Sequence, residues 1–262
     1  MSLRMRARAV LATELRADPR GPHSHVTRLR SDPPLVLRTA IAKGPEPWTD
    51  RTAGLARVSL AAAAAGPIGG DQYGLNVHVG PGSTLVLNEV SATVLLPGHD
   101  GARSRTDVRV RVDTGGTLIW LPEPIIAAAR CNHVNDVQVE LAADARLLMR
   151  EEILLGRHHE PAGRLRQCVR VRSAGRPLYS QDLDVGGPGW TNPAVGSDSR
   201  AVGSVLVVDP IWRHRRPAPV ELPGQAAVMS LDGAAVLVAA LAEDNLALRR
   251  ALTTGLTALA PP

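Results

Sequence analysis

Phenylalanine is absent from the 262 residues, and only four Trp and two Tyr are present. A core built on large aromatic rings is therefore excluded, and Val, Leu, Ile and Ala must fill it. Ring platforms for stacking nucleotide bases are equally scarce. Cysteine occurs twice, at Cys131 and Cys168, too few for the disulfide framework of a small secreted domain. The longest apolar run, Ala234 to Ala242, is about half of the ~20 residues that a membrane-spanning helix needs. The apolar start from Leu3 to Leu11 is interrupted by Glu14 and Arg16 before an export-signal core can form. These absences set the expectation of a cytoplasmic protein in a reducing compartment, with neither membrane nor nucleic acid as a partner.

Lysine occurs once, at Lys43, so 29 of the 30 basic residues are Arg, and the formal net charge is +5. The arginines are dispersed and no run of five like charges appears. Such a surface raises encounter rates with acidic molecules generally, and an acidic protein suits it better than a nucleic acid.

Much of the chain alternates apolar and polar residues with period two, as in Leu75 to Val79, Val108 to Val112 and Val137 to Leu141. This spacing predicts half-buried strands. Each is followed by a turn and a second apolar run: Gly80-Pro81-Gly82-Ser83 before Leu85, Asp113-Thr114-Gly115-Gly116 before Leu118, and Ala142-Ala143-Asp144-Ala145 before Leu147. A fourth copy follows Val169, with Gly175 to Tyr179 as turn and return strand. Val77, Val110, Val139 and Val169 stand 33, 29 and 30 residues apart, a period near 30.

Iterated strand, turn and strand predict a mainly β fold, a helical β-sandwich of stacked layers in a single domain over 1–262. Its β core spans about 35–240 and a C-terminal helix about 243–259. A plain antiparallel sandwich has the same alternation and stays open. The helix rests on Leu248, Leu252, Leu256 and Leu259, with Asp244 or Asn245 as cap and Pro261 as stop, and it either closes the β stack or docks a partner. Gly186 to Gly203 and Arg213 to Pro223 read as long surface loops, where partners commonly dock.

Chemistry has few footholds. The stretch Gly66-Pro67-Ile68-Gly69-Gly70-Asp71 lacks the Lys and Ser or Thr of a phosphate loop and is followed by a strand, not a helix. Its glycines allow close backbone approach, and Asp71 either bonds to exposed amides in a tight turn or points into a cleft. Cys131 and His133 share one face of an extended chain and form a possible transient metal pair, with no second pair at a structural-zinc spacing. The other metal candidates are the pair His158-His159, adjacent histidines of a kind usually solvated in a loop, and the isolated His78 and His99. Glu151 and Glu152 are neighbours, so on a strand they face opposite ways, and the inward one is a carboxylate among aliphatic side chains. No serine-hydrolase elbow, zinc-protease helix or paired acid and base occurs, and no cofactor is expected to be tightly bound.

Gly66 to Asp71, Val79-Gly80-Pro81-Gly82, Trp120-Leu121-Pro122-Glu123, Glu151 to Arg157, Gly163-Arg164-Leu165 and Gly175-Arg176-Pro177-Leu178 together resemble, in order and spacing, the D (also called H) type urease accessory proteins. The resemblance runs from about Leu35 to Leu183 and continues loosely to the C-terminal helix. It implies a noncatalytic nickel metallochaperone or scaffold with apourease subunits and the accessory proteins F and G as partners, the latter a GTPase. It also implies nickel in transit through an internal watery passage. Asp71 and Glu151 occupy the positions it assigns to that passage, and Gly66, Gly69 and Gly70 form its motif turn. The chain departs from the family pattern at Ala65, at Pro124, which leaves Glu123 one position early, and around Ala239-Ala240. A β-solenoid enzyme acting on carbohydrate, or a metal-dependent enzyme using Cys131 and His133, is the competing expectation.

Overall fold

The computed structural model describes residues 4–19, 21–41, 47, 54–193 and 195–259, so Pro261, the expected helix stop, lies outside the described residues. Two hairpin-like pairs come first, β1 (Arg6–Asp18) with β2 (Gly21–Arg30) and β3 (Leu35–Thr39) with β4 (Ala56–Ala62). Three repeated units follow: β5 (Gln72–Val79) and β6 (Thr84–Glu89) with the short β7 (Thr93–Leu95), β8 (Ser104–Val112) and β9 (Thr117–Leu121) with the short β10 (Ile125–Ala127), then β11 (Asn132–Leu141) and β12 (Arg146–Leu155). The chain ends with β13 (Arg164–Ser173), β14 (Arg176–Val185), β15 (Ala201–Val208), β16 (Val220–Leu222), β17 (Gln225–Ser230), β18 (Ala235–Ala242) and α1 (Asn245–Ala258).

Each unit places its first strand in one sheet and its second in the other. The first sheet runs β14-β13-β11-β8-β5-β1-β2; the second runs β16-β17-β18-β15-β12-β9-β6-β4-β3, with β10 pairing β12 and β7. Successive copies pair in parallel, β5 with β8, β8 with β11, β6 with β9 and β9 with β12. This is the helical sandwich of stacked layers, and the plain antiparallel alternative is excluded. The turns joining the sheets close the same way in each layer, through Ser83 N–H to Gly80, Gly116 N–H to Asp113 and Ala145 N–H to Ala142. Pro81 at the second position and Gly82, at φ +64°, at the third suit a type II turn.

Three expectations need correction. The β structure begins at Arg6, not near residue 35, because Ala7, Ala9 and Leu11 alternate with arginines and are buried. The fourth layer is offset by 32 residues: Val169 pairs with Val137, not Val139. A two-residue slip keeps every side chain on its own face, so alternation alone cannot detect it. That layer is also incomplete, since β14 turns back antiparallel to β13 through Ala174 and Gly175, both at positive φ, and never reaches the second sheet. In the expected surface loops, Trp190 is buried and β16 interrupts the second.

Aliphatic residues of the two inner faces, such as Leu75, Val110, Leu87, Leu118 and Leu147, make one core. On the outer face of the second sheet, Val86, Ile119, Leu148 and Val205 belong to one apolar cluster with Leu248 and Leu252 of α1, which Asp244 caps by accepting from the Ala247 N–H at 2.8 Å. The helix therefore closes the β stack.

Candidate functional site

The interior changes character at one row of the first sheet. Leu75, Val108, Val137 and Val169 lie side by side and are aliphatic; one step along the inner face, Tyr73, Thr106, Asn135 and Gln167 lie side by side and are polar. Beyond them Ser104 and His133 are paired neighbours, Oγ to Nδ1 at 2.8 Å. Facing this row from the second sheet are Glu89, which continues the inward alternation of Leu85 and Leu87, and Glu151, which continues that of Leu147 and Met149.

The polar row, His133, Glu89 and Glu151 line a cavity of about 120 Å³ between the sheets, whose wall also includes Gly66, Pro67 and Thr93. A wider groove of about 570 Å³ opens beyond it toward Gln181, Trp190, Ser204, Glu221 and Gln225, and shares Glu151, Ile153 and Gln167 with it. Asn135 Nδ2 donates to Gln167 Oε1 at 2.9 Å, and Gln167 Nε2 donates in turn to Glu151 Oε1. Glu151 and Gln167 thus stand where the two spaces meet.

Enclosure changes the acidity of these groups. Burial pushes the Glu89 carboxyl up to about 8; the Glu123 charge adds to this, while the Glu123 N–H and Arg150 oppose it. Burial pushes Glu151 up to about 7 against the Gln167 hydrogen bond. His133 is pushed down to about 3 by burial and, secondarily, by Arg105, which leaves it neutral. The cavity thus holds two carboxyls that exchange protons near neutral pH, beside neutral donors and acceptors. Such an interior can hold a hydrated cation through its water shell and release it again.

The structure places the predicted residues unequally. Glu151 and His133 line the cavity. Asp71 is 3% exposed and stands behind the wall, with Oδ1 accepting from the Met5 N–H at 2.8 Å and Oδ2 from the Ile68 N–H at 2.9 Å and the Tyr73 hydroxyl at 3.0 Å. Gly66 and Gly70 have positive φ, and a Cβ on Gly69 would stand 2.3 Å from the Gly98 nitrogen, so the motif turn packs backbone on backbone. Cys131 belongs to a separate cluster with Leu165, Val185 and Trp190, and burial pushes its thiol up to about 11. Among the described residues no group of three or more His, Cys, Asp or Glu is placed to hold a metal.

Sequence reasoning missed Glu89 and the polar row. Aligning the layers by 33, 29 and 32 residues finds both, because the row lies two residues before the aligned Leu75, Val108, Val137 and Val169. It also missed an ion-pair network under α1: Arg249 Nε lies 3.0 Å from Glu152 Oε1, its second nitrogen lies 3.0 Å from Glu123 Oε2, and Arg150 stands 3.7 Å from both carboxylates. Glu151 and Glu152 do face opposite ways, the first into the cavity and the second, fully buried, toward the helix.

A family model described as UreD urease accessory protein matches residues 7–262. The chain is similar to the urease accessory protein UreD of Streptomyces coelicolor, at 41% identity over 88% of this chain and 89% of that protein. It is also similar to the urease accessory protein UreD of Parafrankia, at 40% over 95% and 86%, and to that of Streptomyces avermitilis, at 39% over 96% and 97%.

Proposed function

Because the chain belongs to the UreD family of urease accessory proteins, we propose that it is a noncatalytic maturation factor that binds apourease together with the accessory proteins F and G and passes nickel to the urease active site through its interior. The observation that carries this reading is a cavity that sets two carboxyls and a row of polar side chains into a mostly apolar lining, continued past Glu151 and Gln167 into a second groove. Nickel needs such handling because open nitrogen and oxygen sites bind copper more tightly and discriminate poorly among first-row ions, so correct loading depends on delivery and not on affinity. Glu89 on β6 and Glu151 on β12, both on the second-sheet wall of the cavity, hold the hydrated ion in turn. His133 and Gln167 offer neutral polar contacts. Asp71 acts one step back, fixing Tyr73 and the glycine turn that form the wall.

The test is co-expression with the urease subunits and the other accessory proteins in the cytoplasm of a host supplied with nickel. Urease should gain nickel and activity only when this chain is present. Glu151→Ala should lower the nickel content of urease several-fold while the chain still co-purifies with its partners. Equal activation without the chain would overturn the reading, and loss of co-purification would make Glu151 a structural residue.

A further inference from the structure

The second sheet is not continuous. On one side β12 pairs with β15 from Leu147 through Leu154. On the other, its pairing with β9 ends at Met149 opposite Trp120, and pairing resumes with β10 only at Ile153 opposite Ile125. Arg150, Glu151 and Glu152 therefore have no strand partner there. The facing segment contains Pro122 and Pro124, which have no N–H to give a ladder.

The cavity uses this gap. Its lining includes Glu151 on the inner face and also Arg150, Glu152 and Glu123, of which Arg150 and Glu152 alternate with Leu148 and Leu154 on the outer face. The two lips of the gap are Glu123, before β10, and Glu152, on β12. Arg249, carried across by α1, binds both, while Arg150 donates to the Pro122 carbonyl at 2.9 Å within the gap. The Arg249 side chain remains one-third exposed and is held against Glu123 and Glu152, which line the cavity.

We infer that this gap is a side exit of the interior for a divalent cation, and that the Arg249 guanidinium is its plug. The inference rests on the nickel-transit reading and adds a route and a gate. A guanidinium held between the lips repels an approaching cation and occupies the carboxylates that would receive it. When Arg249 leaves, two carboxylates face the path in place of a positive charge.

The test reads access and not activity. In the full chain, Glu89→Cys places a thiol on the cavity wall beside Glu123 and outside the wide groove, and its thiolate attacks 2-aminoethyl methanethiosulfonate, forming a mixed disulfide and releasing methanesulfinate. Adding Arg249→Gln should speed this labelling by about tenfold or more, the scale set by removing one unit charge from a partly desolvated path; Arg249→Lys should leave it near the parent rate. Native Cys131, in its separate cluster, should label no faster. If Arg249→Gln weakens folding, Arg249→Met, which removes the same charge and keeps an apolar stem packed on the helix, carries the same expectation. Unchanged labelling at position 89, or an equal rise at Cys131, overturns the plug. Failure of the wild-type chain to support nickel loading would overturn the transit reading instead and leave the labelling result standing.

Discussion

Three donors converge on the Asp71 carboxylate: the Met5 N–H from the start of β1, the Ile68 N–H from the glycine turn and the Tyr73 hydroxyl from β5. A buried carboxylate so placed ties the first strand to the wall of the cavity, and its removal strands those donors. Asp71→Ala should therefore lower the stability of the chain by about 3 kcal/mol or more, read as a shift in the urea midpoint, with Glu151→Ala on the same scale far milder because its single partner, Gln167, still bonds to Asn135. A loss for Asp71→Ala no larger than that for Glu151→Ala would show that the three contacts carry little. Both residues were legible in the sequence from the motifs around them. Their division of labour was not, since one acidic residue after a glycine pair reads the same whether it bonds to backbone or faces a cavity.

Elements were legible to the extent that alternation determines them. Period two marked the strands of the three full layers, the turn residues marked their junctions, and leucine spacing with Asp244 marked α1, found at Asn245–Ala258. Pairing partners were not legible. A strand followed by Ala174-Gly175 can cross to the facing sheet or return beside itself, and only the two positive φ values decide for return. The Glu123 and Arg249 contact joins residues 126 apart in sequence, and no local pattern encodes it. At this scale α1 is fixed chiefly by Leu248 and Leu252, 0% and 1% exposed. Leu252→Ala should cost about 2–5 kcal/mol, and should loosen the Arg249 plug as well, so hydrogen exchange along α1 and labelling of Glu89→Cys should rise together. A large stability loss with α1 exchange unchanged would separate the helix from the plug.

The whole molecule stores its unusual charges inside, and this shapes its response to pH. Glu89 at about 8 and Glu151 at about 7 both stand above the 4.5 of an exposed Glu. Between about 4.5 and 8 the folded chain therefore holds more protons than the unfolded one, and these groups make stability fall as pH rises. His133 acts oppositely: held at about 3 against 6.5 when exposed, it leaves the unfolded chain more protonated below 6.5, so its contribution is lost as pH falls toward 3. Two carboxyls outweigh one imidazole, and surface carboxylates held low by arginines, such as Glu160 at about 2 beside Arg157, add losses only on the acid side. Stability should thus peak near about pH 5 and decline toward about pH 8, as thermal midpoints across that range will show. Glu89→Gln should flatten the alkaline decline, and His133→Gln should flatten part of the acid one. A divalent cation in the cavity can replace the lost protons, so added nickel should raise the midpoint at about pH 8 far more than at about pH 5, where the carboxyls keep their protons. A flat profile, or a nickel effect independent of pH, would mean that the interior carboxyls do not exchange protons for the ion.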